Sequence, residues 1–183
     1  MSLFLKVKIS PEARSRFLSS DIPSPGIYKD WLNWLEGKEY SGSRITEKDI
    51  QDIGYGICKT VGDYFQVWSE DVHLEGCKEV YDPGSNVWKI YRLGGGHNYI
   101  DLVRDLSVLR SVCRYVDEES TCGYLVEYNY FFGADSKKDT AIELLGNESS
   151  ILDEVSPEFY REANEHLEVW EKAFFESEFC SES

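Results

Sequence analysis

Apolar and polar residues alternate at the start of the chain and predict a half-buried β-strand over residues 2–9. The apolar positions recur with a period of two, which places their side chains on one face of an extended strand: Leu3, Leu5, Val7 and Ile9. Two later runs, residues 87–93 and 123–132, are rich in β-branched and aromatic residues and predict two further strands. Residues 69–86 show no such period, and we predict irregular structure there.

Helical periodicity occupies most of the sequence between these strands. We predict helices over residues 11–18, from about Tyr28 to a stop at Gly37, over 47–68, after Asn98, and around 140–145, as the spacing of apolar residues and the capping residues indicate. The 47–68 pattern contains seven apolar residues at helical spacing. We expect this pattern to outweigh the cost of three internal glycines, Gly54, Gly56 and Gly62.

The last helix has the clearest pattern in the chain. Ser156 and Pro157 form a typical helix start, and one apolar stripe follows at helical spacing: Phe159, Ala163, Leu167, Trp170 and Phe174. Six glutamates fall outside this stripe, namely Glu158, Glu162, Glu165, Glu168, Glu171 and Glu176. The stripe predicts a helix anchored on the rest of the domain, so its carboxylates would occupy fixed positions on an ordered surface.

These elements together predict a single α+β domain that spans residues 1–183. The expected architecture is helix-rich, with a small sheet of about three or four strands and an amphipathic acidic helix at the C-terminal end. The length suits one domain, and a hydrophobic content of 42% with 14% aromatic residues is sufficient for a core.

The charge of the chain is concentrated in its last quarter. Of a formal net charge of -15, residues 139–183 carry -11, because 13 acidic side chains there are accompanied only by Arg161 and Lys172. We treat residues 139–183 as an acidic C-terminal helical segment. Such a surface repels itself and attracts a basic partner. The same charge argues against direct binding of nucleic acid, because that affinity depends on neutralising phosphates.

Two interpretations of the six glutamates are open at this point. They can form an ordinary solvated face that aids solubility, or they can present a row of carboxylates that imitates phosphates to a basic protein. Only Arg161 and Lys172 are available on this helix for pairing at i,i+4 spacing. This poor compensation of the negative charge supports the second interpretation.

A second candidate site comprises Gly94, Gly95, Gly96 and His97, between a predicted strand and a predicted helix. Glycines allow the backbone to approach a ligand closely, and a helix N-terminus attracts anions such as phosphate. His97 could donate a proton near neutral pH. The motif matches neither the Walker A pattern nor GxGxxG, so an ordinary strand-to-helix connection is the competing interpretation.

The remaining sequence predicts no metal site, no cofactor, no catalytic residues and no membrane segment. The five cysteines include no CxxC pair, and no EF-hand spacing occurs. The N-terminus lacks the apolar core of a signal peptide, and no run approaches the ~20 apolar residues of a membrane span. We therefore expect a cytoplasmic protein with reduced thiols.

Three functional hypotheses follow from these observations. The first is a non-enzymatic inhibitor that occludes a basic, nucleic-acid-handling protein such as a nuclease, because opposite charge steers association. Its biological setting would be phage counter-defence, as for an anti-CRISPR or antirestriction protein, or toxin immunity. The second is a small-molecule or nucleotide-binding enzyme that uses the Gly94–His97 loop. The third is a structural or adaptor subunit whose terminal helix packs on another copy.

Overall fold

The computed structural model describes residues 2–38, 44–70, 76–94, 98–116, 121–128 and 139–180. These ranges contain six strands, which are β1 (Ser2–Lys8), β2 (Cys77–Asp82), β3 (Val87–Leu93), β4 (Thr121–Tyr128), β5 (Thr140–Leu145) and β6 (Glu148–Leu152). They also contain six α-helices, which are α1 (Pro11–Leu18), α2 (Trp31–Glu36), α3 (Glu47–Gln51), α4 (Val61–Glu70), α5 (Tyr99–Arg110) and α6 (Pro157–Cys180). Two short 3-10 turns cover Pro25–Ile27 and Ser111–Tyr115.

The strands form one antiparallel sheet in the order β2-β3-β1-β4-β5-β6. β1 lies in its middle, where Leu5 is opposite Ile90 on β3 and Leu125 on β4. The two outer pairs on either side, β2 with β3 and β5 with β6, are formed by strands adjacent in sequence. The centre of the sheet therefore depends on pairings between residues that are far apart in the chain.

The expected small sheet of three or four strands is wrong, because the described residues contain six strands, although the class is α+β overall. β2 lies within the stretch predicted to be irregular, and β5 replaces the helix predicted around residues 140–145. Ala141, Glu143 and Leu144 favour helix intrinsically, but helix propensity is a weak prior that tertiary pairing overrides. The segment predicted to be helical over residues 139–183 is consequently, over its described residues 139–180, a β-hairpin followed by a helix.

The helix predicted over residues 47–68 is also wrong as a single element. It is divided into α3 and α4. Gly56 between them has a φ of 62°, in the left-handed region that only glycine adopts at low cost. Thr46 and Asp49 do form the predicted cap of α3, because each side chain accepts a hydrogen bond from the other residue's backbone N–H. Local capping was predicted correctly, but seven apolar matches did not outweigh the glycines.

The sheet is covered on both faces. Helices α1 to α5 contribute to a large core on one face, together with Leu3, Leu5 and Val7 of β1. On the other face α6 packs by Ala163 and Leu167 against Phe4, Tyr91, Tyr124, Val126 and Tyr128. The alternation predicted for β1 is present, but the strand is buried on both faces, because Phe4 and Leu5 are both fully inaccessible.

Candidate functional site

α6 carries the predicted acidic surface, and its apolar stripe holds it on the sheet. Ala163 and Leu167 are buried, and the Phe159 ring stacks on Tyr124 with ring centroids 4.2 Å apart and an interplanar angle of 3°. Trp170 donates a hydrogen bond from Nε1 to the carbonyl oxygen of Gly76 at 2.8 Å. Packing at three separate turns fixes the orientation of the helix relative to the sheet.

Over residues 157–176, whose side chains are described, the outward side of α6 presents five exposed glutamates, namely Glu158, Glu165, Glu168, Glu171 and Glu176. The two basic residues of the helix, Arg161 and Lys172, are exposed as well. Lys172 Nζ lies 4.0 Å from Glu176 Oε1, and exposed pairs of this kind contribute about 0–1 kcal/mol. We call these five glutamates the outer carboxylates. They are fixed by the helix backbone and are weakly compensated within it.

Glu162, the sixth predicted residue, faces inward and has a different role. Its Oε1 lies 2.5 Å from Lys6 Nζ on β1, and its Oε2 accepts a hydrogen bond from the Tyr124 hydroxyl at 2.6 Å. Burial would raise the pKa of Glu162, but the hydrogen bonds from Lys6 and Tyr124 outweigh burial and lower that pKa. Sequence spacing placed Glu162 outside the stripe, but its partners on β1 and β4 could be identified only from the fold.

His166 lies on the same inward edge of α6. Its ring stacks on Phe4 with centroids 5.1 Å apart, its Nε2 is 3.1 Å from Lys89 Nζ, and its Nδ1 is 3.4 Å from the Tyr91 hydroxyl. An ammonium group can only donate, so Nε2 accepts and the neutral ring carries its proton on Nδ1. Burial, followed by the charge of Lys89, lowers the pKa of His166. A protonated ring would lose the contact with Lys89 and face the cations Lys89 and Lys6, and these effects with burial outweigh the Glu162 carboxylate, whose Oε1 lies 3.9 Å from Nε2.

This arrangement predicts an acid-sensitive contact between α6 and the sheet. A histidine whose pKa is lower in the folded state than its ordinary 6.5 binds fewer protons folded than unfolded, so its contribution to stability falls as the pH falls through that value. Denaturant unfolding between about pH 7.5 and about pH 5.5 should therefore show a stability loss in the parent protein that is smaller in His166→Gln. Using the difference between the two proteins removes the effects of other titrating groups. An identical pH dependence in both would contradict the assignment.

The Gly94–His97 loop is described only at its first residue. Gly94 follows β3, is exposed, and has a φ of 87° that requires glycine. Gly95, Gly96 and His97 lie outside the described residues. Asn98 caps α5 as predicted, because its side chain accepts a hydrogen bond from the Asp101 backbone N–H at 2.9 Å.

A buried ion pair lies beside this loop, and sequence reasoning missed it. Arg92 Nη1 donates to Asp105 Oδ2 at 2.5 Å, and the Tyr64 hydroxyl donates to the other oxygen of Asp105. The guanidinium also lies 4.5 Å from the centroid of the Trp68 ring. Burial raises the pKa of Asp105, while Arg92 opposes the rise. Since the charges and hydrogen bonds of Arg92, Asp105 and Tyr64 satisfy one another, we assign this network a structural role.

Arg110 forms a comparable network under an open cavity of about 510 Å³. Its guanidinium makes two hydrogen bonds to the Asp30 carboxylate, at 2.8 and 2.7 Å, and two more to the hydroxyl and carbonyl oxygens of Ser149. Its Cζ atom lies 4.2 Å from the Tyr28 ring centroid. The bidentate geometry ties α5 and the residue before α2 to β6, so the role of Arg110 is structural.

A buried thiol and potential metal-ligating side chains are further groups with a capacity for chemistry. Cys113 is buried, and burial raises the pKa of its thiol, which keeps it protonated. Among the residues described, no group of three or more His, Cys, Asp or Glu side chains is placed to hold a metal ion. In the same part of the chain, no helix is both long enough and apolar enough to cross a membrane.

No protein family, curated protein or solved structure matches this chain.

Proposed function

We propose that this protein is a non-enzymatic inhibitor that uses α6 to cover a basic surface of a nucleic-acid-handling protein in the cytoplasm. The proposed partner is a nuclease or another nucleic-acid-binding effector, and the setting is phage counter-defence, as for anti-CRISPR or antirestriction proteins, or toxin immunity. The observation that carries the proposal is the set of outer carboxylates on a helix anchored by packing. Because the folded helix already fixes the spacing of these groups, no ordering of the backbone would be needed to align them against a partner.

The dimensions of the outer carboxylates support mimicry of a nucleic acid. From Glu158 to Glu176 the helix rises about 27 Å, at about 1.5 Å per residue. That length equals roughly eight base-pair steps of a duplex at about 3.4 Å per step. A basic groove that accommodates a duplex of this length would therefore meet carboxylates along its whole floor.

Apolar side chains among the outer carboxylates support a protein partner. Val169 is 72% exposed and is adjacent in sequence to Glu168 and one helical turn from Glu165 and Lys172. Phe175 is 48% exposed further along the helix. Protein interfaces commonly join an apolar centre to a charged rim. Charge would steer the encounter. Burial of Val169 and Phe175 against the partner would remove apolar surface from water and stabilise the complex.

Neutralising the outer carboxylates should weaken binding to the partner and make it less sensitive to salt. The test variant is Glu158→Gln, Glu165→Gln, Glu168→Gln and Glu176→Gln combined, which leaves Glu162 and its bond to Lys6 intact. At about 0.5 kcal/mol for each contact, the dissociation constant should rise about 30-fold at low salt. The measurement is inhibition of nucleic-acid cleavage, and affinity by titration, across a panel of basic toxin nucleases, restriction endonucleases and CRISPR effectors.

A matched control separates local contact from net charge. Glu12, Asp52, Glu70 and Glu148 are exposed and lie outside α6, so their conversion to amides removes the same total charge elsewhere. We expect the control to change affinity by less than about threefold, since separated surface charges are screened. Equal weakening by both variants, salt-independent affinity, or no inhibition of any protein in the panel would refute the proposal.

A further inference from the structure

The two edges of the sheet differ in how their outward backbone groups are satisfied. On β6 the Ser149 carbonyl oxygen accepts a hydrogen bond from Arg110 Nη2 at 2.8 Å, and the Ile151 N–H donates to Asp30 Oδ2 at 3.3 Å. Arg110 and Asp30 are also bonded to each other, so the pair occupies this edge as a residue of a neighbouring strand would. The β6 edge is therefore closed at Ser149 and Ile151.

β2 forms the other edge, and its outward backbone groups are open. The Leu93 N–H donates to the Gly76 carbonyl oxygen at 3.2 Å, which fixes the alternation along β2. The even-numbered residues of β2 therefore bond to β3, while the N–H and C=O groups of Glu79 and Tyr81 point away from the sheet. Within the described parts of the chain, these outward groups have no hydrogen-bond partner. β2 pairs with β3 without a bulge, so it offers a regular strand to an added one.

The side chains of β2 are complementary to a second copy of the same strand. Lys78, Val80 and Asp82 share the face of the sheet that α6 covers, since Lys78 Nζ lies 4.4 Å from the centroid of the Trp170 ring. In an antiparallel pair with a two-fold axis at Val80, Lys78 of each copy lies opposite Asp82 of the other. Val80, which is 40% exposed, then lies opposite Val80 in a non-hydrogen-bonded pair, where side chains are closest.

The same register satisfies the outward backbone groups. Glu79 lies opposite Tyr81 of the second copy, and each N–H donates to the other residue's carbonyl oxygen. Symmetric registers centred on Lys78, Glu79 or Asp82 would place like charges opposite each other. A register centred on Tyr81 would place Glu79 opposite Pro83, which has no N–H. Charge and backbone pairing therefore select the same register.

The contacts that Lys78 and Asp82 already make leave both charges available. Lys78 lies over the Trp170 ring and is exposed. The Asp82 carboxylate accepts from the Gly84 N–H at 2.9 Å and from the Ser85 hydroxyl at 2.5 Å. A carboxylate has about four acceptor sites, so a lysine of the second copy can still bind it.

α6 does not obstruct this pairing. It reaches β2 at the start of the strand, where Trp170 contacts Gly76 and Lys78. The corresponding point of the second copy lies opposite residues 82–84, about six residues or about 20 Å along the strand. Since a helix is about 10 Å across, the two helices pass each other without overlap. Both sets of outer carboxylates would face the same side of the joined sheet.

We propose that this chain forms a two-fold symmetric dimer in which β2 of one copy pairs with β2 of a second and joins the two six-stranded sheets. The β6 edges stay closed by Arg110 and Asp30, so the assembly ends at two copies. Repulsion between chains of net charge -15 opposes association. It is screened over about 8 Å at physiological ionic strength, whereas paired strands lie about 5 Å apart. The dimer and the inhibition proposed for α6 do not depend on each other.

Sedimentation equilibrium at physiological ionic strength, over about 1–100 µM protein, should show a reversible equilibrium between monomer and dimer. Lys78→Glu should raise the dimer dissociation constant about 30-fold, because two attractive contacts become repulsive. Lys48→Glu makes the same charge change at an exposed position on α3 and should raise it less than about threefold. A parent protein that is monomeric throughout, or a Lys78→Glu variant that dimerises like the parent, overturns the proposal.

Mixing two monomeric variants tests the register itself. Asp82→Lys should weaken the dimer as Lys78→Glu does, although it lowers the net negative charge. An equimolar mixture of the two variants should dimerise like the parent protein, because each substituted residue then lies opposite one of the other sign. A mixture that stays monomeric contradicts the pairing about Val80.

Val80→Lys is the second variant if Asp82→Lys does not fold after losing its bonds to Gly84 and Ser85. It places lysine opposite lysine at the axis and should raise the dimer dissociation constant at least about tenfold. Circular dichroism of each variant checks that the monomer is folded. Dimerisation unchanged in folded Val80→Lys overturns the interface.

Discussion

Replacing Gly123 by alanine should destabilise the fold by about 3 kcal/mol or more, because the added methyl group overlaps the backbone of the central strand. A Cβ atom at this position would lie 2.1 Å from the carbonyl oxygen of Lys6 and 2.7 Å from the Cα atom of Val7. β1 cannot move away without breaking its pairing with β3 on the other side. Chemical denaturation should show the loss as a lower midpoint, and thermal unfolding as a decrease of about 6–12 °C.

Gly54 supplies the control for this prediction. It is exposed, lies between α3 and α4, and has nothing within 4 Å of the position its Cβ would take. Gly54→Ala should change stability by less than about 1 kcal/mol, and stabilisation is the expected direction because alanine restricts the unfolded chain. If both alanine variants behaved alike, the close approach of β4 to β1 at Gly123 would be contradicted.

Arg92→Met should lower the free energy of unfolding by about 3–5 kcal/mol, an effect comparable to that of Gly123→Ala. The reason is that the Asp105 carboxylate remains buried without its charge partner. The two side chains are 7% and 6% exposed, so solvent cannot substitute for the lost ion pair. Removing Arg92 also removes the group that opposes the raised pKa of Asp105. A folded-state pKa above the ordinary value makes an acid destabilising as the pH rises, so the damage should be larger at pH 8 than at pH 5.

A second substitution distinguishes a stranded charge from simple loss of packing. In Arg92→Met combined with Asp105→Asn, the amide oxygen can still accept from the Tyr64 hydroxyl, and no buried charge remains. The double variant should therefore be more stable than Arg92→Met alone, and its stability should lose the extra pH dependence. A double variant that is no more stable than the single one would contradict the stranded charge as the cause of the loss and leave lost packing of the Arg92 side chain as the explanation.

The inward polar residues of α6 hold the helix on the sheet, whereas its outer carboxylates remain exposed. Glu162 bonds to Lys6 and Tyr124, and His166 contacts Lys89 and Tyr91. These contacts hold the helix at a defined rotation on the sheet, which is why the outer carboxylates face away from it. The proposed binding surface therefore depends on polar contacts that titrate, and the acid sensitivity expected of His166 would act on its placement.

Several features of the fold and of the candidate sites could not be predicted from the sequence. Glu127 is buried and lies in a strand-forming run, YLVEYNYFF, whose pattern does not say which side is covered. Its burial depends on β1 and β5 pairing on its two sides, and Thr140, its partner on β5, is bonded by Trp34 and Lys38 from a distant segment. Arg92 and Asp105 likewise become partners only because β3 and α5 are brought together, since ion pairing between distant residues has no sequence period.

Short-range chemistry accounts for what the sequence did determine. Periodicity and capping report on residues within one or two helical turns. Features on that scale were predicted correctly: the bounds of α1, the start of α6 at Pro157, the caps at Asn98 and Thr46, and the apolar stripe of α6. Only the tertiary structure decided that residues 140–145 form a strand, that β1 is covered on both faces, and that Glu162 faces inward while the outer carboxylates face solvent. Those outcomes follow from strand pairing and burial between distant segments, which outweigh local propensities of a few tenths of a kcal/mol per residue.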